Sequence, residues 1–130
     1  MVSEGSRSLL PPEPERILSE EVAMPGDISR CKITVVKRML NQDLVDAYLN
    51  VEEGLGACQR FSDGQEFVVE SPFEMPEGFG CPWAWADIRN DIVMLATGGG
   101  FPWMKQPGTA IVGCSDWFRP VIFKIERLEE

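Results

Sequence analysis

The spacing of apolar and polar positions divides the chain unevenly. Residues 1–30 are dominated by Ser, Glu and Pro, with Pro11, Pro12 and Pro14 favouring extended backbone, and they read as an acidic tail. Within it, Glu15 to Ala23 carries Ile17, Leu18 and Val22 at a spacing that suits a turn of helix. The tail has two readings: a loosely docked arm, or an arm that packs on a neighbouring subunit. From residue 31 onward the pattern is that of one compact domain, 31–130. Cys31 to Arg38 is rich in β-branched residues with few polar interruptions, which predicts a strand buried on both faces. Asn41 to Asn50 predicts a short helix with Asp43 as its N-cap. A glycine-containing loop, Glu52 to Ala57, then leads to Cys58, and Ser62-Asp63-Gly64 turns the chain into a strand over Gln65 to Glu70.

The best-marked element follows the loop Ser71 to Gly80. Pro82 suits the first position of a helix, because its missing N–H has no intrahelical partner there and its φ is already helical. Trp85, Ile88, Ile92 and Leu95 then recur at helical spacing up to Thr97, and Gly98-Gly99-Gly100 stops the run. Thr109 to Cys114 and Pro120 to Arg127 read as two strands. In the second, Val121, Phe123 and Ile125 share one face while Lys124 and Glu126 share the other. The order β-α-β-α-β-β with a closing hairpin predicts an α+β domain. Its core is a small, largely antiparallel sheet of about four to five strands with one main helix packed on it.

The chemistry gathers at the ends of these elements. Cys58, Cys81 and Cys114 each stand where a loop meets a regular element, as functional residues often do. Cys81 falls at the N-cap of the main helix, where free N–H groups and the helix dipole favour negative charge, so it is a candidate for a reactive or metal-ligating thiolate. If the three junctions lie at one end of the sheet, three thiols converge. A Cys₃ set with an open position suits zinc, iron or an iron–sulfur cluster. Against that stand the absence of any Cys-x-x-Cys pair and the readiness of cysteine to pack as a small hydrophobe, which is also the simpler account of Cys31. Trp83, Trp85, Trp103 and Trp117 offer walls for a flat ligand, with Trp85 better placed as core. Asp87 and Asp116 are candidate proton carriers. Arg119 is a candidate anion clamp through its planar fork, with a structural Asp–Arg pair as the plain alternative.

Charge and composition narrow the classes. The net charge is −9, acidic both in the tail and in the domain, which speaks against a nucleic-acid or anionic-membrane binder. No apolar run approaches a membrane span and the N-terminus has no signal-peptide core, so a cytoplasmic location with reduced cysteines is expected. The chain contains no histidine, which removes Ser-His-Asp and Cys-His catalysis and every His-ligated metal site.

Several motifs together resemble a known family. They are Cys58 with Gly64-Gln65-Glu66-Phe67, Met75-Pro76-Glu77-Gly78-Phe79 and Trp83-Ala84-Trp85-Ala86-Asp87-Ile88. Gly98-Gly99 with Phe101-Pro102-Trp103, and Cys114-Ser115-Asp116 with Arg119-Pro120-Val121-Ile122-Phe123-Lys124-Ile125, complete the set. This combination is similar to a family of small uncharacterised proteins of bacteria and archaea, many of them anaerobes, over Ile33 to Leu128. The resemblance implies no activity. It marks Cys58, Cys81, Trp85, Asp87, Cys114, Asp116 and Arg119 as matches to the family pattern. The chain departs from that pattern at Gly113, where a second adjacent cysteine can occur, and at Trp117, where glycine is usual. Two functions are thus expected. One is a small cytoplasmic protein with a cysteine-based thiol or metal site. The other is a non-catalytic module of a homo-oligomer or larger enzyme complex, with its tail and tryptophans as interface.

Overall fold

The computed structural model describes residues 28–51 and 54–129. The tail and its expected turn of helix lie outside the described residues, apart from Ile28 to Arg30. The Ser29 N–H already donates to the Ala96 carbonyl at 2.9 Å, so the chain is tied to the domain just before its first strand.

The elements run β1 (Cys31–Arg38), α1 (Gln42–Tyr48), β2 (Glu66–Val69), α2 (Pro82–Ala96), β3 (Thr109–Gly113) and β4 (Val121–Arg127). They form an α+β domain with a four-stranded sheet in the order β2-β1-β4-β3, and every neighbouring pair is antiparallel. α2 lies across one face, against β3, β4 and β1. It buries Ala84, Trp85, Ile88, Ile92, Leu95 and Ala96. These meet Cys31, Ile33 and Val35 of β1, Phe67 and Val69 of β2, and Val121, Phe123 and Ile125 of β4 in one apolar core.

The opposite face carries ion pairs in place of a second layer. Lys32 reaches Glu66 at 3.6 Å and Glu126 at 3.8 Å, and Lys124 reaches Glu126 at 3.5 Å. β1 is therefore buried on one face, which corrects the two-faced burial expected from its β-branched run. Its central position in the sheet accounts for the apolar composition, and Lys32 and Thr34 on the outer side are only half-covered.

β1 also holds a bulge. Its pairing with β4 shifts register between Val35 and Lys37, which leaves Val36 turned outward. Beyond the bulge, Arg38 reaches back over the segment that follows Cys58. Its Nη1 donates to the carbonyls of Cys58 at 2.8 Å and Phe61 at 3.0 Å, and its Nε donates to Asp63 at 2.9 Å.

The N-cap of α1 lies two residues earlier than expected. Asn41 is the N-cap, with Asp43 inside the first turn. The Asn41 side chain makes no capping bond, and its Nδ2 donates to the Trp117 carbonyl at 2.6 Å. With Met39 N–H on Pro120 O and Asn41 N–H on Phe118 O, it fixes the loop between β3 and β4. α2 matches its sequence signals at both ends. Pro82 opens it, and Gly98 closes it at φ +100°, a left-handed conformation that glycine adopts without a Cβ clash.

Candidate functional site

Three junctions come together at one end of α2. Cys58, Cys81 and Cys114 line a single cleft of about 390 Å³, although they are distant in sequence. Each arrives by a different device. Arg38 pins the Cys58 segment by its carbonyls. Cys81 is the N-cap of α2, extended at φ −148°, and its Sγ accepts the Ala84 N–H at 3.4 Å. Cys114 leaves β3 opposite Val121, donates its N–H to the Val121 carbonyl at 3.1 Å and accepts the Val121 N–H on Sγ at 3.3 Å. All four cysteines are free thiols, and Cys31 stands apart in the core, 1% exposed. Burial pushes the Cys31 thiol up from 9.0 to about 11, with Arg127 pulling weakly the other way.

The walls of the cleft are aromatic and its charge is mostly positive. Trp83 and Trp117 line it while remaining 68% and 69% exposed, and Phe118 and Val121 add apolar surface. Arg60, Arg119 and Asp116 are its charged groups. Asp116 organises the loop: its Oδ1 accepts the N–H groups of Phe118 and Arg119, both at 3.1 Å, and its Oδ2 lies 3.4 Å from Arg119 Nε. That carboxylate holds the turn around Trp117 through side-chain bonds to the backbone, with no glycine at its centre.

Asp87 has a comparable role one layer back. Its Oδ2 accepts the Ser115 N–H at 2.7 Å and the Ser115 hydroxyl at 2.9 Å, and Ser115 Oγ accepts Trp83 Nε1–H at 2.7 Å. The chain Asp87–Ser115–Trp83 joins α2 to the loop after β3 and fixes one lip of the cleft. Asp87 itself is not a lining residue. Both carboxylates expected to carry protons are thus engaged in holding loops.

Trp103 is not brought to this site. It stands 76% exposed over Phe101, ring centres 5.3 Å apart, beside a separate shallow cavity with Asp91 and Ile111. The loop Gly100 to Gly108 leaves α2 at its C-terminal end, which places Trp103 away from Cys81.

The donor set does not fit a metal. Among the described residues, no group of three or more cysteine and carboxylate side chains is placed to hold a metal ion. The zinc, iron and iron–sulfur expectation for Cys58, Cys81 and Cys114 therefore has no matching arrangement, and no chemistry is derived through such a group. At Gly113, next to Cys114, an added Cβ meets Val121 O at 3.0 Å and Ile122 Cδ1 at 3.2 Å, so a side chain there crowds the β3–β4 pair.

Sequence reasoning did not single out Arg60, Arg38, Asn41 or Phe118. Arg60 alone carries a local signal, two residues beyond Cys58. The others act across gaps of 20 to 77 residues that no short motif records. Among the described residues, no helix is long and apolar enough to cross a membrane. Comparison with protein-family models, with curated proteins and with solved structures finds no match to this chain.

Proposed function

We infer that the chain is a small thiol protein of the cytoplasm, whose cleft binds a small molecule against Cys81, with Cys58 and Cys114 beside it. The observation that carries this reading is the meeting of three free thiols from three loop–element junctions in one cleft with Arg60 and Arg119. Packing alone needs no such convergence: Cys31 satisfies packing by being buried in the core. Cys81 is assigned the leading role because it stands at the start of α2, where the backbone supplies positive partial charge. Of the residues of the family resemblance that carry thiol or charge, Cys58, Cys81, Cys114, Asp116 and Arg119 line this cleft, and Asp87 stands behind its lip on Ser115. The test is a time course of iodoacetamide modification on the native protein, read residue by residue by mass spectrometry. Cys81 should be labelled first, Cys58 and Cys114 next, and Cys31 only on unfolding. Labelling of Cys81 no faster than Cys31 overturns the reading.

A second reading is favoured by Trp83, Trp103 and Trp117, all more than two-thirds exposed. In it the domain is a non-catalytic module and these rings contact a further copy or a larger enzyme complex. Light scattering at increasing concentration separates the two for self-association. A monomer that remains monomeric removes the homo-oligomer, whereas an assembly that dissociates in Trp83→Ala and Trp117→Ala supports it.

A further inference from the structure

The cleft has a neighbouring cavity that shares part of its wall. A second cavity, about 430 Å³, runs along the loop Gly54 to Ala57 and shares Cys58, Arg60 and Arg119 with the thiol cleft. Both arginines therefore line both cavities. Neither is consumed by the fold. Arg60 spends Nη1 on the Gly80 carbonyl at 2.8 Å, and Arg119 spends Nε on Asp116 at 3.4 Å. Among the described residues, their remaining nitrogens have no protein partner.

Two guanidinium groups against one carboxylate make a positive site in a chain of net charge −9. A chain so acidic gains nothing in solubility from pairing its arginines at a concave surface. The forked donors of arginine match the oxygens of carboxylate and phosphate groups. Beyond the arginines, Trp83 and Trp117 flank the thiols with flat, apolar surface. This is the general make-up of a ligand site: apolar walls and a few fixed polar anchors.

We propose that the cleft is a site for a small organic anion, a flat apolar body ending in a carboxylate or phosphate, held by Arg60 and Arg119 with its body between Trp83 and Trp117 and facing Cys81. The proposal rests on the thiol reading above and specifies its ligand class.

Two reagents of nearly equal size test it. Iodoacetate and iodoacetamide both alkylate a thiolate in one step: the C–S bond forms as the C–I bond breaks and iodide leaves with the electron pair. They differ in that the first carries a carboxylate. For Cys81 in the native protein, the iodoacetate-to-iodoacetamide rate ratio should exceed that of the same residue in the unfolded chain by about tenfold, the equivalent of one charge-assisted hydrogen bond. Arg119→Gln and Arg60→Gln should each return the ratio toward the unfolded value.

A competition on the unaltered protein guards against variants that fail to fold. Benzoate and phenyl phosphate should slow iodoacetamide at Cys81, and neutral benzamide should not. Protection by one anion and not the other separates a carboxylate from a phosphate ligand, and either result supports the site. A native ratio equal to the unfolded one, with no protection by either anion, overturns the anion site while leaving Cys81 a reactive thiol. No native labelling of Cys81 by iodoacetamide overturns the thiol reading and this proposal with it.

Discussion

Cys31 and Cys81 are the same side chain in opposite surroundings, and the contrast yields a measurable pH effect. Cys31 lies under α2 with its Sγ 4.0 Å from the Ile92 carbonyl, and burial holds its thiol at about 11 against an ordinary 9.0. The folded state thus keeps a proton that the unfolded state gives up first. Stability from this group is complete below pH 9 and declines as the pH rises toward about 11. Urea midpoints measured between those values should fall with pH more steeply in the parent protein than in Cys31→Ala. Equal slopes would mean that the buried thiol does not hold its proton. The sequence already suggested that Cys31 is packing, since it opens an apolar strand. It did not reveal Arg60, because an arginine in a loop looks the same whether it faces solvent or a cleft.

At the scale of elements, α2 was the most legible part of the chain because both of its ends carry local signals, Pro82 and Gly98. What holds its C-terminus is not local. Arg127 of β4 donates Nη1 to the carbonyls of Leu95 at 2.9 Å and Gly99 at 2.8 Å, joining the Gly98 N–H on the Leu95 carbonyl and reaching Gly99 just past the helix end. Arg127→Ala should cost about 2 kcal/mol, the scale of hydrogen bonds to a charged group, whereas exposed Arg89→Ala should stay within about 0.5 kcal/mol. Denaturant titration of the two variants checks the difference. The N-terminal end is tied by Asp87 through Ser115 to Trp83. Asp87→Ala frees the Ser115 N–H and hydroxyl together, so iodoacetamide should reach Cys114 faster than in the parent. An unchanged rate would show that the loop after β3 is held by Asp116 and Asn41 alone. The errors at this scale have the same origin. A β-branched run reports that β1 is central without reporting what covers its outer face, and Asn41 resembles any other residue before a helix until Trp117 is seen beside it.

The whole molecule joins core and cleft through Phe79, a residue of the loop that precedes α2. Its ring is fully buried and meets Phe61 at 5.1 Å, Phe67 at 5.0 Å, Phe123 at 5.8 Å and Trp85 at 6.0 Å between ring centres. Those partners belong to the Cys58 segment, β2, β4 and α2, so one side chain touches two of the three segments that bring a thiol to the cleft. Its place two residues before Cys81, between Gly78 and Gly80 at φ +83° and +87°, lets the loop drive the ring inward and still emerge at the helix start. The sequence placed Phe79 only within a loop motif and did not mark it as the centre of the core, because ring-to-ring contact depends on the folded register of segments far apart. Phe79→Ala should cost about 3–5 kcal/mol, a large part of the stability of a domain this size. Phe73, in the same loop and 61% exposed, should tolerate alanine within about 0.5 kcal/mol. If the ring anchors the cleft as well as the core, Phe79→Leu should fold and yet narrow the difference in labelling rate between Cys81 and Cys31. The shorter side chain leaves space under the start of α2 and lets the helix end shift. A Phe79→Leu protein that loses stability but keeps the parent labelling order would assign Phe79 to the core alone and leave Arg38, Asn41 and Asp87 as the groups that hold the cleft.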